Sequence, residues 1–396
     1  MFSPETLRNL SWMLDDGITY LNHGSFGARP KEVFEAQIAL KKEFERSPVQ
    51  FLDREGKERV QRARIIISRF LGCSEKNLGF IENATTGVGC VIQSLNLPVG
   101  SEIVATNHVY NGVRQLLRAA SDRNDWTYRE IEVRTPIRSP QQIIDTVIDG
   151  FSDKTKLLVI DHVASITGIV FPVKELVLAC KERGIPILVD GAHVPGMLDL
   201  NINLLSPDWY LGNFHKWVCG PPGAGFLWVN DAHLENIHPM TISHFYKQGF
   251  IKEFDWQGTR DITSILCAAI AVQWGEKFGW KHIRNHNHSL AVSMQSKLID
   301  AWKSESLSPI DGSMIGSMAT VQLPIGFPLV EKTTDAMRTW MYDQYQIEAL
   351  IIPWQDRTVV RISAQLYTQL DDIDRLIQAV ESSKKQFFST TPLKYP

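Results

Sequence analysis

The stretch IPILVDGAH at residues 185–193 decides the fold prediction for this chain. Its apolar, β-branched run predicts a buried central strand that ends in the carboxylate of Asp190, with Pro186 near the strand start, where proline is tolerated. Similar apolar runs occur on both sides of it, at residues 78–81, 102–106, 127–132, 156–161, 209–211 and 225–229. Helical patterns separate several of these runs, at residues 87–95, 112–123, 140–150 and 173–183. This alternation predicts an α/β fold in which helices cover both faces of a mainly parallel sheet.

The two ends of the chain have different patterns. Two long, charged helical segments are predicted at residues 30–44 and 53–71. Beyond about residue 275 the patterns predict a long helix to about residue 303, a strand pair at 319–323 and 359–363, and closing helices at 332–345 and 371–387. We therefore predict an N-terminal segment at residues 1–20, a large α/β domain at 20–265 and a small C-terminal α+β domain at 270–396.

The overall composition excludes several classes of protein. Apolar residues make up 44% of the 396 residues and charged residues 21%, which excludes disorder, collagen-like repeats and a coiled coil. The 41 Lys and Arg against 44 Asp and Glu give a net charge of −3, so we expect no nucleic-acid partner. No apolar run approaches the ~18 residues of a membrane helix, and residues 1–16 lack a signal-peptide pattern, so we expect no membrane association.

The cysteines and histidines do not form a metal-site pattern. The five cysteines, Cys73, Cys90, Cys180, Cys219 and Cys267, are scattered and include no Cys-x-x-Cys pair. This usage is typical of reduced thiols and predicts a cytoplasmic location without disulfides or a zinc knuckle. The histidines of residues 282–288 have no carboxylate or cysteine ligand at a suitable spacing, so we predict a solvated helix face and no metal site.

The stretch GNFHKW at residues 212–217 adds a lysine to the strand-end carboxylate. Ligands of open α/β sheets bind at the carboxyl ends of the strands, where Asp190 is predicted. Alone, Asp190 could be a helix cap, and Lys216 could be a solvated surface charge. Together, in this order, they match a pyridoxal phosphate (PLP) site, in which a lysine forms a Schiff base and a carboxylate keeps the pyridine nitrogen protonated.

Six short blocks carry a resemblance to a known family. They are YLNHGSFG (20–27), ENATTG (82–87), DGAH (190–193), HKW (215–217), GTRD (258–261) and VRIS (360–363). With these blocks in this order, the chain resembles the class V aminotransferases of the fold-type I PLP enzymes, and more closely their isopenicillin N epimerase-like branch. The resemblance implies a large domain with a mainly parallel seven-stranded sheet, a small C-terminal domain, PLP as the cofactor, and a homodimer with shared active sites.

The resemblance also implies roles for individual residues around the cofactor ring. Lys216 would hold the cofactor as a Schiff base and later move the Cα proton of the substrate. Asp190 would pair with the pyridine nitrogen, and Tyr110 would stack on the ring. His193 and Ser165 would lie beside the ring oxygen.

The phosphate and the substrate have further predicted contacts. Backbone N–H groups at the start of a helix favour an anion, which makes residues 84–86 a ready phosphate site, although an ordinary helix N-cap would look the same. With the resemblance, the phosphate contacts are Ala84, Thr85, Thr86, Asn213, His215 and, from a partner subunit, Thr259. The substrate contacts are Asn22, His23 and Arg361, in which the Arg361 guanidinium would clamp the substrate carboxylate.

Several reactions can follow removal of the Cα proton. Its return to the opposite face gives epimerisation or racemisation, with Tyr110, His108 and His23 as candidate proton donors. Loss of a Cβ group gives a cysteine or cysteine-conjugate Cβ–S lyase, and protonation of the cofactor carbon gives an aminotransferase. Cysteine desulfurases of this class carry a nucleophilic cysteine shortly before the arginine clamp. Residues 346–355 read QIEALIIPWQ here, which disfavours that chemistry unless folding brings Cys219 or another cysteine into place.

The resemblance of the whole sequence to the isopenicillin N epimerase-like branch determines the order in which these reactions are expected. Epimerase-type chemistry on an amino acid, or on a peptide with an amino-acid end, is expected first. The Cβ–S lyase comes next and the aminotransferase third. A non-catalytic binding module is disfavoured because Lys216, Asp190 and Arg361 are all present.

Overall fold

The computed structural model describes residues 10–324, 326–327 and 329–388. The strands are β1 Thr19–Tyr20, β2 Leu78–Ile81, β3 Glu102–Thr106, β4 Thr127–Ile131, β5 Thr155–Asp161, β6 Ile187–Asp190, β7 Trp209–Asn213, β8 Gly225–Val229, β9 Met318–Gln322, β10 Ile347–Glu348, β11 Leu350–Trp354 and β12 Arg357–Ser363. The α-helices are α1 Lys31–Arg46, α2 Gly56–Leu71, α3 Ala84–Ser94, α4 Asn111–Asn124, α5 Pro140–Asp149, α6 Val173–Glu182, α7 Ile202–Leu205, α8 Phe250–Asp255, α9 Thr263–Phe278, α10 Trp280–Trp302, α11 Glu331–Tyr345 and α12 Asp372–Phe388.

The main sheet has seven strands in the order β2-β8-β7-β6-β5-β3-β4. All of them are parallel except β8, which runs antiparallel to both β2 and β7. The predicted mainly parallel α/β sheet is therefore confirmed, with β5 and β6 at its centre. Since β5 and β6 are parallel neighbours, their carboxyl ends lie side by side at one edge of the sheet.

Helices bury both faces of this sheet. Along β5, Leu157 and Val159 belong to one buried apolar cluster, whereas Leu158 and Ile160 belong to another on the opposite face. Successive strand residues point to opposite faces, so a strand buried on both sides requires an unbroken apolar run. That run is the signal from which the sequence predicts the strands. Across the described ranges, no helix has both the length and the apolar composition needed to span a bilayer.

A smaller antiparallel sheet, in the order β11-β12-β9, lies in the C-terminal part of the chain. The predicted strand pair corresponds to β9 and β12, and β11 joins it as an additional strand. The N-terminal strand β1 pairs in parallel with β10, so the start of the described chain joins the C-terminal part. The domain boundaries at residues 20, 265 and 270 stay a prediction, and residues 1–9 of the N-terminal segment lie outside the described residues.

Two helical regions differ from the prediction. The helix predicted at residues 53–71 is a π-helical turn, Gln50–Arg54, followed by α2. The chain between residues 263 and 302 forms two helices, α9 and α10, which meet at Gly279 with a φ of +80°. Glycine adopts this left-handed backbone without steric cost, so the helix can end there and a new one can start in another direction.

Candidate active site

A cavity of about 840 Å³ opens at the carboxyl ends of β5, β6 and β7. Ten of the predicted site residues line it, namely Ala84, Thr85, Thr86, Tyr110, Ser165, Asp190, His193, Asn213, His215 and Lys216. The elements that carry them are far apart in sequence, and the parallel sheet brings their ends together. The predicted cofactor residues other than Thr259 therefore share one cavity.

Lys216 lies in the turn after β7, and its half-buried side chain lines the cavity. Its Nζ is 3.0 Å from Nε2 of His193. Burial, together with the charge of the nearby Arg361 guanidinium, lowers the pKa of Lys216 to about 7. A lysine with this pKa is substantially neutral at physiological pH, so its amine can act as a nucleophile or a base.

The segment around Gly27 packs directly on the turn that holds Lys216. The Gly27 N–H donates to the carbonyl of His215 at 2.9 Å. A Cβ atom at position 27 would come within 2.5 Å of the Lys216 carbonyl and 2.6 Å of the His215 carbonyl. Glycine is required at this position because any side chain would displace the lysine turn.

Asp190 ends β6 inside the cavity. Its Oδ1 accepts a hydrogen bond of 2.9 Å from the backbone N–H of Ala192, which fixes the carboxyl group. Burial raises the pKa of Asp190, and Lys216 is the cation that opposes this effect. A buried carboxylate is stabilised by a cationic partner, which the protonated pyridine nitrogen of PLP would supply.

The N-terminus of α3 faces the same cavity and is held by two asparagine side chains. Oδ1 of Asn83 caps the helix by accepting the Thr86 N–H at 3.0 Å. Oδ1 of Asn213, at the end of β7, accepts the Ala84 N–H at 2.8 Å. The Thr85 N–H, which has no hydrogen-bond partner among the described residues, and the helix dipole favour an anion. Nδ1 of His215 is buried without a hydrogen-bond partner among the described residues, so it is free for the same anion.

Replacing Asn83 with alanine should weaken PLP binding. Loss of an N-cap costs about 1 kcal/mol, and the disordered first turn would also bind a phosphate less well, so we expect a roughly tenfold higher dissociation constant. The matched control is Asn201→Ala, because Asn201 caps the short helix α7 in the same way, with the Leu204 N–H at 3.0 Å, outside the cavity. Equal affinities of the two variants for PLP, measured by absorbance titration, would contradict the phosphate role of α3.

Arg361 lies on β12, does not itself line the cavity, and is almost completely buried. Its Nη2 donates to Oδ1 of Asn22 at 3.0 Å and to Oγ of Ser25 at 2.7 Å, and its Nη1 donates to the carbonyl of Ser165. Asn22 is held in turn by Oε1 of Glu348, to which its Nδ2 donates at 3.1 Å. The hydrogen-bond partners that the structure gives Arg361 are all neutral oxygens, so its charge is available to an anion.

His23 and His108 do not line the cavity, and their predicted roles toward the substrate stay predictions. His23 is 0% exposed, and its Nδ1 and Nε2 contact the Tyr367 hydroxyl at 2.9 Å and the Lys216 carbonyl at 3.1 Å. His108 contacts Oγ1 of Thr167 and the carbonyl of Val133, both at 3.0 Å. Both nitrogens of each ring are therefore engaged inside the protein. His23 supports the lysine turn through its contact with the Lys216 carbonyl.

These two histidines should make the protein sensitive to acid. Burial lowers the pKa of His23 to about 3 and that of His108 to about 4, whereas an unfolded histidine has a pKa of about 6.5. The unfolded state therefore binds more protons below pH 6.5, and stability should fall from there toward pH 4, by up to about 1.4 kcal/mol per pH unit for each residue. The free energy of unfolding, measured with urea for wild type and His108→Gln across this pH range, tests this expectation. Parallel pH profiles of the two proteins would contradict it.

Thr259 is exposed and does not line the cavity of its own chain. Its predicted contact with a phosphate in the partner subunit stays a prediction. The stacking role of Tyr110 also stays a prediction, although its side chain lines the cavity and its ring lies against Gly112. Among the residues that sequence analysis missed, Ser25 and Asp161 line the cavity as well. Asp161 ends β5 as Asp190 ends β6, so the same strand-end signal could have identified it.

The fold and this site define a fold-type I PLP-dependent enzyme. Residues 20–329 match the sequence model of the family described as Aminotransferase class-V, and the chain belongs to this family. It is 29% identical to the isopenicillin N epimerase of Streptomyces clavuligerus over 93% of this chain and 96% of that protein. It is 27% identical to an L-cysteine desulfhydrase of Arabidopsis thaliana over 92% of this chain and 87% of that protein.

Solved structures show the same fold. The apo cysteine desulfurase of Thermococcus onnurineus NA1 superposes with a TM-score of 0.79 at 20% identity, over 98% of this chain and 99% of that one. The cystine C-S lyase C-DES, in complex with cysteine persulfide, gives a TM-score of 0.78 at 20% identity, over 92% and 97% of the two chains. A strand-end carboxylate, an amine of low pKa and an anion-binding helix start all fit PLP, so the cavity contains the groups that this cofactor needs.

Proposed function

We propose that this protein is an isopenicillin N epimerase-like enzyme, which inverts the configuration at Cα of an amino acid or of a peptide with an amino-acid end. The observation that carries the proposal is the arrangement of Lys216 and Arg361. The Lys216 amine, with its lowered pKa, lines the cavity. The Arg361 guanidinium has no acidic hydrogen-bond partner among the described residues and bonds Ser25 and Ser165, which line the same cavity. The similarity to isopenicillin N epimerases over nearly the full chain supports this choice of reaction.

Arg361 would bind the α-carboxylate of the substrate. A buried guanidinium that contacts only neutral oxygens gains more from an anionic, bidentate ligand than from its present partners. Ser25 and Ser165 both line the cavity and both contact the guanidinium, so they mark the side from which a carboxylate would approach. Asn22 holds the guanidinium plane in position for this contact.

Lys216 would remove the Cα proton once the carboxylate is bound. When PLP is present, it supplies an electron sink for the negative charge that develops at Cα. With a pKa of about 7, Nζ of Lys216 can accept this proton and return it near neutral pH. Epimerisation requires that a proton reaches the opposite face of Cα, and Tyr110 is the candidate donor because it lines the cavity and is 48% exposed.

A cysteine or cysteine-conjugate Cβ–S lyase is the second candidate. The similarity to L-cysteine desulfhydrases at 26–28% identity favours it, because the same lysine and arginine would serve that reaction. Aminotransferase chemistry remains third. A desulfurase is disfavoured because no cysteine lines the described cavity, and Cys219 is buried beside His23, where burial raises its pKa.

The assembly and the cellular location belong to the same proposal. We infer a homodimer with shared active sites, supported by the exposed Thr259 and by three exposed apolar side chains at the cavity, Phe26, Tyr110 and Met240. Unpaired apolar side chains of this kind favour contact with another protein surface. The five free cysteines agree with a reducing compartment, so a cytoplasmic location is our expectation.

Proton NMR in D₂O distinguishes the candidate reactions. The purified holoenzyme is incubated with a panel of amino acids, cysteine conjugates and short peptides with an amino-acid end, without added keto acid. Deuteration at Cα with inversion and without released product is the result expected for an epimerase. Pyruvate and ammonia together with a thiol or sulfide would overturn it in favour of the lyase. Turnover that appears only after a keto acid is added would identify an aminotransferase.

A further inference from the structure

The cavity contains a second buried carboxyl group, which belongs to Asp161. Asp161 ends β5, and Asp190 ends β6, and the two residues are register partners in the parallel sheet. The backbone N–H of His162 donates to the Asp190 carbonyl at 2.8 Å, which continues the pairing beyond both strands. Register partners in a sheet project their side chains to the same face, and neighbouring strands lie only about 4.8 Å apart. Both carboxyl groups line the cavity.

Asp161 has few partners that could stabilise a negative charge. The residue is 4% exposed, and its Oδ2 has no hydrogen-bond partner among the described residues. The nearby backbone N–H of Tyr110 and the charge of Lys216 favour the ionised form and so lower the pKa of Asp161. Burial and the neighbouring Asp190 outweigh them, and they raise the pKa of Asp161 well above its usual range. Two adjacent buried carboxyl groups cannot both be ionised without a large electrostatic cost, so the pair should retain one proton.

The surroundings decide which of the two carries this proton. Asp190 accepts the Ala192 N–H at 2.9 Å and would face the pyridine nitrogen of the cofactor, so its ionised form has two stabilising partners. The Asp161 oxygen without a partner, Oδ2, needs either a donor or a proton of its own. A protonated Oδ2 that points to the Asp190 carboxylate satisfies both groups at once.

We propose that Asp161 is a positioning residue, whose neutral carboxyl group donates a hydrogen bond from Oδ2 to the Asp190 carboxylate. The pair then carries a single negative charge, and Asp190 is held from both sides, by Asp161 and by the Ala192 N–H. This inference rests on the proposed cofactor function, because the single charge matters for the protonated pyridine nitrogen. Asp161 acts on the cofactor through Asp190 and does not itself contact the reacting atoms.

Two variants of Asp161 separate a neutral from an ionised side chain. Asp161→Asn keeps the shape of the side chain. Its amide oxygen can accept the Tyr110 N–H, and its uncharged NH₂ group can donate to Asp190. We expect it to bind PLP within about threefold of wild type, with an unchanged pH dependence of the holoenzyme absorption spectrum. Asp161→Ala removes the donor, so we expect at least tenfold weaker PLP binding and a shifted pH dependence. The control Asp208→Asn removes a carboxylate that bonds the Ile187 N–H at 2.9 Å, at the opposite end of the sheet, and should leave both readouts unchanged.

Infrared spectroscopy of the wild-type holoenzyme tests the same point without relying on folding of the variants. With isotope-labelled aspartate, the carbonyl band of a protonated carboxylic acid should be present at pH 7 and absent in Asp161→Asn. The absence of this band in wild type, or PLP binding by Asp161→Asn as weak as that of Asp161→Ala, would show that Asp161 is ionised and would overturn the proposal. Wild-type PLP binding by Asp161→Ala would overturn the positioning role. All readouts are taken without substrate, so a failure of the epimerase assay leaves them unaffected.

Discussion

Lys216→Ala should abolish turnover and remove the visible absorption of the bound cofactor. The structure offers no other amine on the described wall of the cavity, so no neighbouring lysine can replace its covalent attachment to PLP. Removal of a nucleophile that is also the base should lower the rate by at least about 10⁴-fold. Absorption spectra of the purified variant with added PLP, and Cα deuteration in D₂O, measure the two effects separately.

The matched control for this prediction is Lys156→Ala. Lys156 lies on β5 but is exposed and donates to the Asp153 carbonyl, so its loss should leave spectrum and turnover unchanged. The wild-type amine adds a pH test. Since burial lowers the pKa of Lys216 to about 7, capture of PLP by the apo-protein should slow about tenfold per pH unit below 7 and level off above it. Turnover by Lys216→Ala at the wild-type rate would refute the catalytic role of Lys216.

The elements that sequence analysis predicted well are those whose local pattern is determined by burial. The strands β5 and β6 are buried on both faces, so they appear as unbroken apolar runs, and the residues at their ends follow directly. Helix α9 was not predicted because it is buried almost all round and lacks the polar face that gives a helical period. The π-helical turn before α2 has no sequence signal that separates it from an α-helix.

The site was only partly predictable for a related physical reason. The positions of Asp190 and Lys216 follow from strand ends, which the sequence marks. The directions in which His23 and His108 point depend on packing between distant segments, such as the contact of His23 with Tyr367. Asp161 has the same strand-end signal as Asp190, but no lysine follows the next strand, so the sequence assigns it no role.

Arg361→Ala should lower kcat/KM by about two to four orders of magnitude, mainly through KM. Loss of one partner from a buried charge pair costs about 3–5 kcal/mol, because the substrate carboxylate would be buried without its cation. Arg361→Lys keeps the charge but not the planar, bidentate donor. Its kcat/KM should therefore lie between those of wild type and Arg361→Ala. The Arg361 charge also helps to lower the pKa of Lys216. The pH dependence of kcat/KM should therefore shift to a higher pH in Arg361→Ala.

A substrate analogue separates recognition of the carboxylate from support of the fold. An amino-acid amide has no negative charge at the position where Arg361 would bind. Measured above the pKa of Lys216 in each protein, where the pH shift no longer matters, its turnover should be nearly the same in wild type and in Arg361→Ala. The control Arg357→Ala lies on the same strand, β12, and removes a guanidinium that pairs with Asp356 outside the cavity, so it should leave both substrates unaffected. If Arg361→Ala lowered the turnover of the amide as much as that of the acid, Arg361 would be a structural residue of the small sheet. An effect confined to the acid assigns the guanidinium to the substrate carboxylate and gives the bound amino acid a fixed orientation relative to Lys216.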